Sequence, residues 1–545
     1  MRSPSPNTRA RTLACLLALI AILALMIPVP VRAEPLWTLT TTREIVFQRL
    51  TPLGSLLVST EDGFSAVDAA TGKPLWTRSD VQKLKECNYD EIANTSYGLL
   101  ELGEGVGGTQ RRIEVIDLTT GMKTWDSGDL PMNSSQGQLQ VAHKGMLVMC
   151  GLPKKGKKPV LVGVSAEDGT MKWQQDEVFT KPLNLIEVKG SGKLFKRYSI
   201  DGNQDPVFDT ENTMIVYLTI EGPVKLDLAT GARLWTAPIK SKSLPALKDG
   251  FAQMLFSDGL LFVPYGKSLQ AVDASTGALL WTKDRDFKSK VTQMQVTPLG
   301  LVVRGAPGYD EKGKLDGKPF LDLLDPRTGL SLWKKPFKDL EDATTFDLRG
   351  DKLYIAADGE LFAVNLADGG ASAVTRFKFK GSEVPTRLEV VDGDYVLSSS
   401  QNVMRVDAGG TIKFHTFHSA PGQSGFIKII STAAIMTMNA ASAAQAHSNA
   451  WSNPGTTYKY TLYGNPELSR RFKASQHANA YVSMLTGGVE ADGRKGVGLV
   501  KVEKATGADA AKVVLGDKTP EYEMDAIDGR VFFMKSGNEI ICYGF

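Results

Sequence analysis

The sequence predicts an all-β protein built from repeated, four-stranded antiparallel sheets. Three observations lead to this prediction. A frame first seen as AVDAATGKPLW at 66–76 recurs along the chain. Short apolar stretches bounded by turn residues lie between its copies, and no long amphipathic helical pattern interrupts them. Residues 34–545 are therefore expected to form copies of one unit rather than several unrelated domains.

The frame assigns a role to each of its recurring residues. Six copies place a Gly four residues after an Asp, or after Ser165 in the third copy, and a Trp four residues after that Gly. The Asp can accept turn N–H groups, and the Gly can adopt the positive φ that closes a hairpin. A small sheet cannot bury about 200 Å² of indole by itself, so the Trp is predicted to anchor a neighbouring unit. The six anchors are Trp76, Trp125, Trp173, Trp235, Trp281 and Trp333. The turn residues are Asp68, Asp117, Asp227, Asp273, Asp325 and, in a later copy, Asp407.

Weaker copies continue the repeat towards the C-terminus. They are AVNLADGGASA at 363–373, RVDAGGTIKF at 405–414 and KVEKATGADAA at 501–511, with Phe414 in the anchor position of the second. A further candidate copy is YTLYGNPELSRRF at 460–472. Together with a closing unit these copies make about eleven candidates, so we expect eight or more units.

The two ends of the chain complement each other. EPLWTL at 34–39 matches the second half of the repeat and places Trp37 in the anchor position, whereas GNEIICYGF at 537–545 matches the first half. A strand around Trp37 is therefore predicted to complete the sheet that contains Ile540 and Tyr543. This pairing would close the array into a β-propeller and leave no free edge between the ends.

The frame resembles the repeats of the pyrroloquinoline-quinone (PQQ) dehydrogenase-like β-propeller superfamily, with their Ala-x-Asp-x-x-Thr-Gly-x-x-x-Trp docking pattern. That superfamily includes quinoprotein dehydrogenases and non-catalytic, BamB-like propellers, and this chain resembles the second group more. The resemblance covers almost all of 34–545 and fades after Trp333.

For a quinoprotein, the resemblance implies adjacent cysteines over the quinone, an indole beneath it, oxygen ligands for Ca²⁺ and an Asp base. None of the four cysteines is adjacent to another, and the frame tryptophans and aspartates already have structural roles. The oxygen-rich DGNQD at 201–205 lacks EF-hand spacing. We therefore expect no catalytic residue, no metal site and no bound cofactor, with PQQ and calcium as the alternative.

Residues 1–33 have the three parts of a secretory signal peptide. Basic residues precede an apolar run from Leu13 to Ile27, and cleavage is expected after Ala33. The whole chain carries 63 Lys+Arg against 60 Asp+Glu, and removing the four arginines of this segment changes +3 to 59 minus 60, or −1. The mature chain should be exported, periplasmic or secreted, without a transmembrane segment. Its charge gives no reason to expect nucleic acid as a partner.

The remaining cysteines, Cys87, Cys150 and Cys542, lie in or beside apolar stretches and are predicted to be small buried hydrophobes. They are too far apart and too few to indicate a disulfide framework or a zinc site.

Features outside the repeat are candidates for partner binding. An Ala/Ser/Asn-rich insertion at 439–457 contains Trp451, which is either an interface anchor or packed on its own blade. A basic loop at 151–159 contains Lys154, Lys155, Lys157 and Lys158. These lysines are predicted either to contact an anionic surface of a partner or to form a solvated hairpin tip. The excursions 182–212 and 305–318 also depart from the period. The sequence thus predicts an exported, non-catalytic propeller that binds a protein partner or scaffolds an assembly through loops on one face. The alternatives are an atypical PQQ-dependent oxidoreductase and a ligand-sensing propeller.

Overall fold

The computed structural model contains ten successive antiparallel sheets arranged as the blades of a β-propeller. It describes residues 34–92, 95–103, 112–134, 141–143, 145–153, 160–176, 185–188, 192–195, 206–218, 221–239, 252–309, 315–338, 340–421, 470–471, 480–491, 493–517 and 519–545. The described sheets number twelve, of which ten are blades and two are two-stranded hairpins. The predicted all-β propeller is confirmed.

The first half of the ring contains blades one to five. Strand β1 (Pro35–Thr40) belongs to the last blade. Blade one consists of β2 (Ile45–Leu50), β3 (Ser55–Thr60), β4 (Phe64–Asp68) and β5 (Pro74–Arg78). A 3₁₀ turn, η1 (Glu86–Asn88), leads into blade two, which consists of β6 (Tyr89–Glu91), β7 (Tyr97–Leu102), β8 (Arg112–Asp117) and β9 (Lys123–Asp126). After η2 (Ser127–Asp129), blade three consists of β10 (Met132–Ser134), β11 (Val141–His143), β12 (Met146–Pro153), β13 (Val160–Ser165) and β14 (Met171–Gln175). The hairpin β15 (Leu185–Val188) and β16 (Gly192–Phe195) precedes blade four, with β17 (Val207–Thr210), β18 (Thr213–Leu218), β19 (Gly222–Asp227) and β20 (Arg233–Thr236). Blade five consists of β21 (Leu255–Ser257), β22 (Leu260–Tyr265), β23 (Ser268–Asp273) and β24 (Arg285–Asp286).

The second half contains blades six to ten. Blade six consists of β25 (Lys290–Thr297), β26 (Gly300–Ala306) and, after the hairpin β27 (Gly308–Tyr309) and β28 (Leu315–Asp316), β29 (Phe320–Leu324). Blade seven consists of β30 (Asp347–Arg349), β31 (Lys352–Ala357), β32 (Glu360–Asn365) and β33 (Ala371–Arg376). Blade eight consists of β34 (Arg387–Val391), β35 (Asp394–Ser398), β36 (Asn402–Val406) and β37 (Ile412–Phe417). The described strands of blade nine are β38 (Tyr481–Ala491), β39 (Arg494–Glu503) and β40 (Asp509–Val514). Blade ten consists of β41 (Glu521–Asp525), β42 (Arg530–Ser536), β43 (Glu539–Gly544) and β1.

Burial follows the position of a strand within its blade. All six residues of β3, SLLVST, are buried, because both faces of a middle strand pack against neighbouring blades. The outer strand β5, PLWTR, has no fully buried residue. Apolar runs therefore mark the middle strands, and partly polar sequences mark the periphery.

The ring closes by pairing of the chain ends. Strand β1 runs antiparallel to β43, with Trp37 opposite Cys542 and Thr38 opposite Ile541. Within the core of this junction, the Gln48 side-chain amide donates a hydrogen bond of 3.0 Å to the Phe532 carbonyl of blade ten. The predicted closure is confirmed.

Each regular blade has two distinct ends. The first-to-second-strand turn and the hairpin that carries the frame Asp and Gly lie at one end, which we name the turn face. The second-to-third-strand turn and the connection to the next blade lie at the other end, which we name the loop face. The excursions 182–212 and 305–318 contain the hairpins β15–β16 and β27–β28, and both belong to loop-face connections.

Some blades depart from four regular strands. Blades six and nine have three described strands, and β24 in blade five has two residues. In blades five and six, a buried polar side chain helps to hold the irregular outer segment. Gln270 Oε1 accepts a hydrogen bond from the backbone N–H of Trp281 at 3.2 Å, and Asp322 Oδ1 accepts one from the Ser331 hydroxyl at 2.6 Å.

The expectation of eight or more units is confirmed, since the described chain forms ten blades. Of the candidate copy at 460–472, the structure describes Arg470 and Arg471, and neither belongs to a blade strand. No helix in the described ranges is long and apolar enough to cross a membrane.

Candidate functional site

The frame tryptophans lie at the junctions between blades. Trp76 on β5 donates its indole N–H to the Leu118 carbonyl of blade two at 2.9 Å. Its ring also covers Gly121, where a Cβ would lie only 2.5 Å from Trp76 Cδ2. The anchor therefore occupies space that a side chain at the frame Gly of the next blade would need.

The same geometry recurs at seven junctions. In every case the acceptor is the carbonyl of the residue that follows the Asp position in the next frame. The pairs are Trp37 with Ala69, Trp76 with Leu118, Trp125 with Ala166, Trp173 with Leu228, Trp235 with Ala274, Trp281 with Pro326 and Trp333 with Leu366, at 2.8–3.1 Å.

The weaker copies use other contacts. The Phe414 ring covers Gly507 of blade nine, as the tryptophans cover their glycines. Ala373 stands where an anchor would be in blade seven, and the rings of Tyr354 and Tyr395, with centroids 4.6 Å apart, pack across the junction to blade eight. Aromatic packing thus continues where the tryptophan is missing.

The frame aspartates organise the hairpins of the turn face. Asp68 Oδ1 accepts hydrogen bonds from the Ala70 and Thr71 backbone N–H groups at 2.9 and 2.7 Å and from the Thr71 hydroxyl at 2.9 Å. Asp227 makes equivalent contacts with Thr230. Their side-chain oxygens therefore stabilise the hairpin turns as hydrogen-bond acceptors.

This architecture leaves apolar side chains exposed along the outer strands. Of the 13 large exposed hydrophobic residues in the described chain, nine lie between a frame Gly and its anchor position or in the equivalent N-terminal segment. These nine residues, which we name the outer rim, are Leu36, Leu75, Met122, Met171, Leu234, Leu279, Leu330, Leu332 and Ile412. They form a recurrent apolar border near the turn face.

A second polar feature lies on the first strands of three consecutive blades. Arg49 on β2 forms an ion pair with Glu86 beside β6, with Nη1 and Oε1 2.9 Å apart. Glu91 on β6 accepts a hydrogen bond from the Tyr89 hydroxyl at 3.3 Å. Glu523 on β41 accepts one from the Leu50 N–H at 3.5 Å. We name Arg49, Glu86, Glu91 and Glu523 the channel group, because first strands border the axis of a propeller.

Burial changes the proton affinity of the channel group. Burial raises the pKa of Glu91 to about 7, although the positive charge of Arg49 acts to lower it. It likewise raises the pKa of Glu523 to about 7, against Arg49 and the Leu50 N–H. Burial lowers the pKa of Arg49, but the charges of Glu91, Glu523 and Glu86 outweigh this effect and keep its pKa above the usual range. The carboxyls of Glu91 and Glu523 can therefore exchange protons near neutral pH.

A buried ion pair lies near the ring closure. The Arg471 guanidinium binds both carboxylate oxygens of Asp525 at 3.0 Å, and its Nη1 also lies 2.9 Å from Asp528 Oδ2. Arg471 is 5% exposed and Asp525 is 1% exposed. A Cβ at Gly54 of blade one would lie 2.6 Å from Arg471 Nη1. The residue thus ties the segment before blade nine to blades ten and one.

The other candidate residues do not form a metal site within the described chain. No group of three or more His, Cys, Asp or Glu side chains there is arranged to hold a metal ion. His418 Nε2 lies 2.8 Å from Asp509 Oδ1, and His415 Nε2 lies 2.9 Å from Asn402 Oδ1. Trp451, the insertion 439–457, the four lysines of the basic loop and residues 1–33 lie outside the described residues.

The cysteines differ from one another in exposure. Cys542 is buried as predicted, but the prediction for Cys87 was wrong because this residue is exposed. Cys87 lies in η1, whose three residues include no buried one, so its apolar neighbours along the chain do not cover it. The side chain of Cys150 lies outside the described part.

Comparison with known proteins supports the repeat assignment. Residues 220–413 match the family model PQQ_2, described as outer membrane protein assembly factor BamB. The resemblance to PQQ-like propellers is confirmed. The matched residues extend from blade four to blade eight.

Three solved structures match parts of this chain at low sequence identity. BamB from Moraxella catarrhalis is 14% identical, with a TM-score of 0.32, and the match covers 70% of this chain and 96% of that chain. The quinohemoprotein alcohol dehydrogenase from Comamonas testosteroni is 15% identical, with a TM-score of 0.29 and coverage of 68% and 72%. The computationally designed Ika8 protein is 14% identical, with a TM-score of 0.32 and coverage of 70% and 99%. No curated protein sequence matches this chain.

Sequence reasoning missed two features of these sites. The channel group was missed because its members are spread over residues 49–523 and share no motif. The outer rim could have been found, because exposed apolar residues recur between the frame Gly and Trp.

Proposed function

We propose that this protein is an exported, non-catalytic propeller that binds a protein partner and acts as an assembly scaffold. The observation that carries the proposal is the outer rim, where large apolar side chains remain exposed at recurrent positions. The family match to an assembly factor and the signal-like segment at 1–33 support it. The outer rim takes the place of the Trp451 and lysine loops as the surface on which the proposal rests.

The outer strands offer backbone as well as side chains. Strand β5 pairs with β4 alone among the described strands, so its other edge has N–H and C=O groups available for a partner. An extended segment can add to such an edge, with alternate side chains contacting the apolar residues. Leu75 and Leu234 are 52% and 51% exposed, which leaves much of each side chain available for burial on binding.

Site-specific photocrosslinking tests the partner-binding proposal. A benzophenone amino acid is placed singly at Leu75, Leu234 or Leu330 of the full chain in its native host. Lys83 is the matched control, because its exposed side chain lies in the loop-face connection after blade one. Rim positions should crosslink one recurring protein that Lys83 does not. Equal labelling from Lys83, or no crosslinked protein from any rim position, would contradict the proposal.

Export is tested separately from binding. We expect the purified envelope form to begin at Glu34 and a chain without residues 1–33 to remain in the cytoplasm. N-terminal sequencing and cell fractionation measure these outcomes. An uncleaved N-terminus or unchanged export of the truncated chain would contradict this part of the proposal.

We propose that the scaffold works without PQQ. The residues present do not fit the quinoprotein arrangement, since the chain has no adjacent cysteines and its seven frame tryptophans each donate to the next blade. Calorimetric titration of the purified protein with PQQ and Ca²⁺ should show no saturable heat. Tight binding together with dye-linked alcohol oxidation would favour the oxidoreductase alternative.

A second candidate function is ligand sensing in the channel. The channel group favours it, because Arg49 and two carboxylates with a pKa of about 7 lie on adjoining first strands. A thermal-shift titration with primary amines and sugars at pH 6 and pH 8 tests this function. A saturable shift that Glu91→Gln removes would support sensing, and equal responses of both proteins would oppose it.

A further inference from the structure

Blade six concentrates exposed leucines in a way that the other described blades do not. Leu330 and Leu332 lie on its irregular outer segment, with 64% and 46% of their surface exposed, and Leu299 in the first turn is 45% exposed. A Cβ at Gly300 would lie 3.0 Å from Leu332 Cδ1, so the outer segment reaches the turn that carries Leu299. We name Leu299, Leu330 and Leu332 the leucine patch.

The patch continues towards blade five. Gly329, directly before Leu330, is covered by the Trp281 indole of blade five. Leu279 lies two residues before Trp281 and is 38% exposed. The leucines therefore border a blade junction that is already fixed by an anchor, which provides a rigid base for a partner.

Basic side chains accompany the patch. Arg327 lies in the same hairpin, and Lys334, Lys335 and Lys338 follow Leu332; all four are exposed. Two acidic side chains of blade six have other contacts, whereas Glu341 and Asp342 are exposed in the connection to blade seven. Asp325 accepts from the Arg327 and Thr328 backbone N–H groups at 2.8 Å, and Asp322 is fully buried. The local surface thus combines apolar contact area with positive charge.

We infer that the leucine patch binds an extended segment of a partner protein in which apolar residues alternate with carboxylates. This inference rests on the proposed protein-binding function and specifies the chemistry of the partner. The apolar residues would cover Leu330 and Leu332, and the carboxylates would face the basic side chains. Charge complementarity selects the acidic segment over a basic one.

Labelled short peptides test the inference by fluorescence anisotropy. One alternates leucine with glutamate, a second replaces glutamate with lysine, and a third replaces leucine with serine. The glutamate peptide should bind the full chain, with an affinity that falls as salt is added, and the other two should not. Equal binding of the lysine peptide would overturn the inference.

Variants separate the two components of recognition. The double variant Leu330→Ser with Leu332→Ser should raise the Kd of the glutamate peptide by about tenfold or more, since central apolar contacts carry much of the binding energy. Lys334→Glu with Lys335→Glu should also weaken it and reduce the salt dependence. Val384→Ser, at a residue that is 45% exposed and lies outside the outer rim, should leave the affinity unchanged. Circular dichroism and melting temperature confirm that each variant folds.

Two outcomes would rule out an acidic, apolar partner segment as the occupant of the leucine patch. If the leucine double variant binds the peptide as wild type does, the patch is not the site. If sedimentation shows a wild-type dimer that the double variant abolishes and the peptide does not disturb, the occupant is a second copy of this chain. Crosslinking from Leu75 or Leu234 would still support the proposed function in either case, so the two failures can be distinguished.

Discussion

The Trp281 indole of blade five lies against Gly329 of blade six, where a Cβ would stand 2.5 Å from Trp281 Cδ2. The indole N–H also donates to the Pro326 carbonyl at 3.0 Å. Each frame therefore serves two neighbours, since its Gly receives the preceding anchor and its own Trp reaches the next blade. Repetition of this contact connects most of the ring.

Gly329→Ala should lower the free energy of unfolding by about 3 kcal/mol or more. Alanine at a φ of +70° is strained by about 1–2 kcal/mol, and the added methyl group must also displace the Trp281 ring. Gly259→Ala is the matched control, because its φ is +77° and no heavy atom lies within 4 Å of the place where a Cβ would stand. Urea denaturation should show a smaller loss for the control, and equal losses would reject the packing role of Gly329.

Removing β1 should sharply lower the melting temperature, because it exposes the edge of β43 and removes the Trp37 anchor. Trp37→Phe is a milder change that keeps much of the apolar contact but loses the 3.0 Å hydrogen bond to Ala69, at a cost of about 1 kcal/mol. Differential scanning calorimetry compares both with wild type. A melting temperature unaffected by the deletion would show that closure contributes little to stability.

Arg471→Met should lower the free energy of unfolding by about 3 kcal/mol or more, because it leaves the buried Asp525 carboxylate without its bidentate partner. Lys495→Met is the control, since Lys495 and Glu490 form an exposed pair. That change should have a much smaller effect, because solvent screens an exposed ion pair. Chemical denaturation measures both, and similar small effects would mean that the Arg471 contact does not hold the ring closure.

The channel group should make stability decrease as the pH rises from about 4.5 to about 7. The carboxyls of Glu91 and Glu523 have a pKa of about 7 in the folded protein against the usual 4.5. The unfolded chain therefore releases these protons first, and deprotonation at higher pH favours unfolding. Glu91→Gln or Glu523→Gln should flatten this part of the stability curve.

The control for the pH experiment is Glu490→Gln. Lys495 holds the pKa of Glu490 below its usual value, so this carboxylate does not titrate between pH 4.5 and pH 7. Thermal unfolding at closely spaced pH values should show that the melting temperature of this variant changes with pH as steeply as that of the wild type. A wild-type slope for the Glu91 and Glu523 variants as well would contradict the assigned proton affinities.

The sequence predicted the local frame more fully than the sites. The turn role of Asp68 follows from its own neighbours and could be predicted from spacing, as could the anchor position of Trp76. Cys87 shows the limit of such reasoning, because adjacent apolar residues do not decide whether a loop side chain is covered.

The repeating unit and its closure could be predicted from the sequence, because both depend on contacts between residues at regular or complementary positions. The number of blades, the leucine patch and the channel group emerged only from the folded arrangement of the chain. Arg49, Glu91 and Glu523 come from three sheets at opposite ends of the chain, and Leu332 approaches Gly300, the neighbour of Leu299, through the bend of one irregular blade. Their proximity depends on the curvature of the closed ring and on the path of individual outer segments, which short-range patterns do not encode.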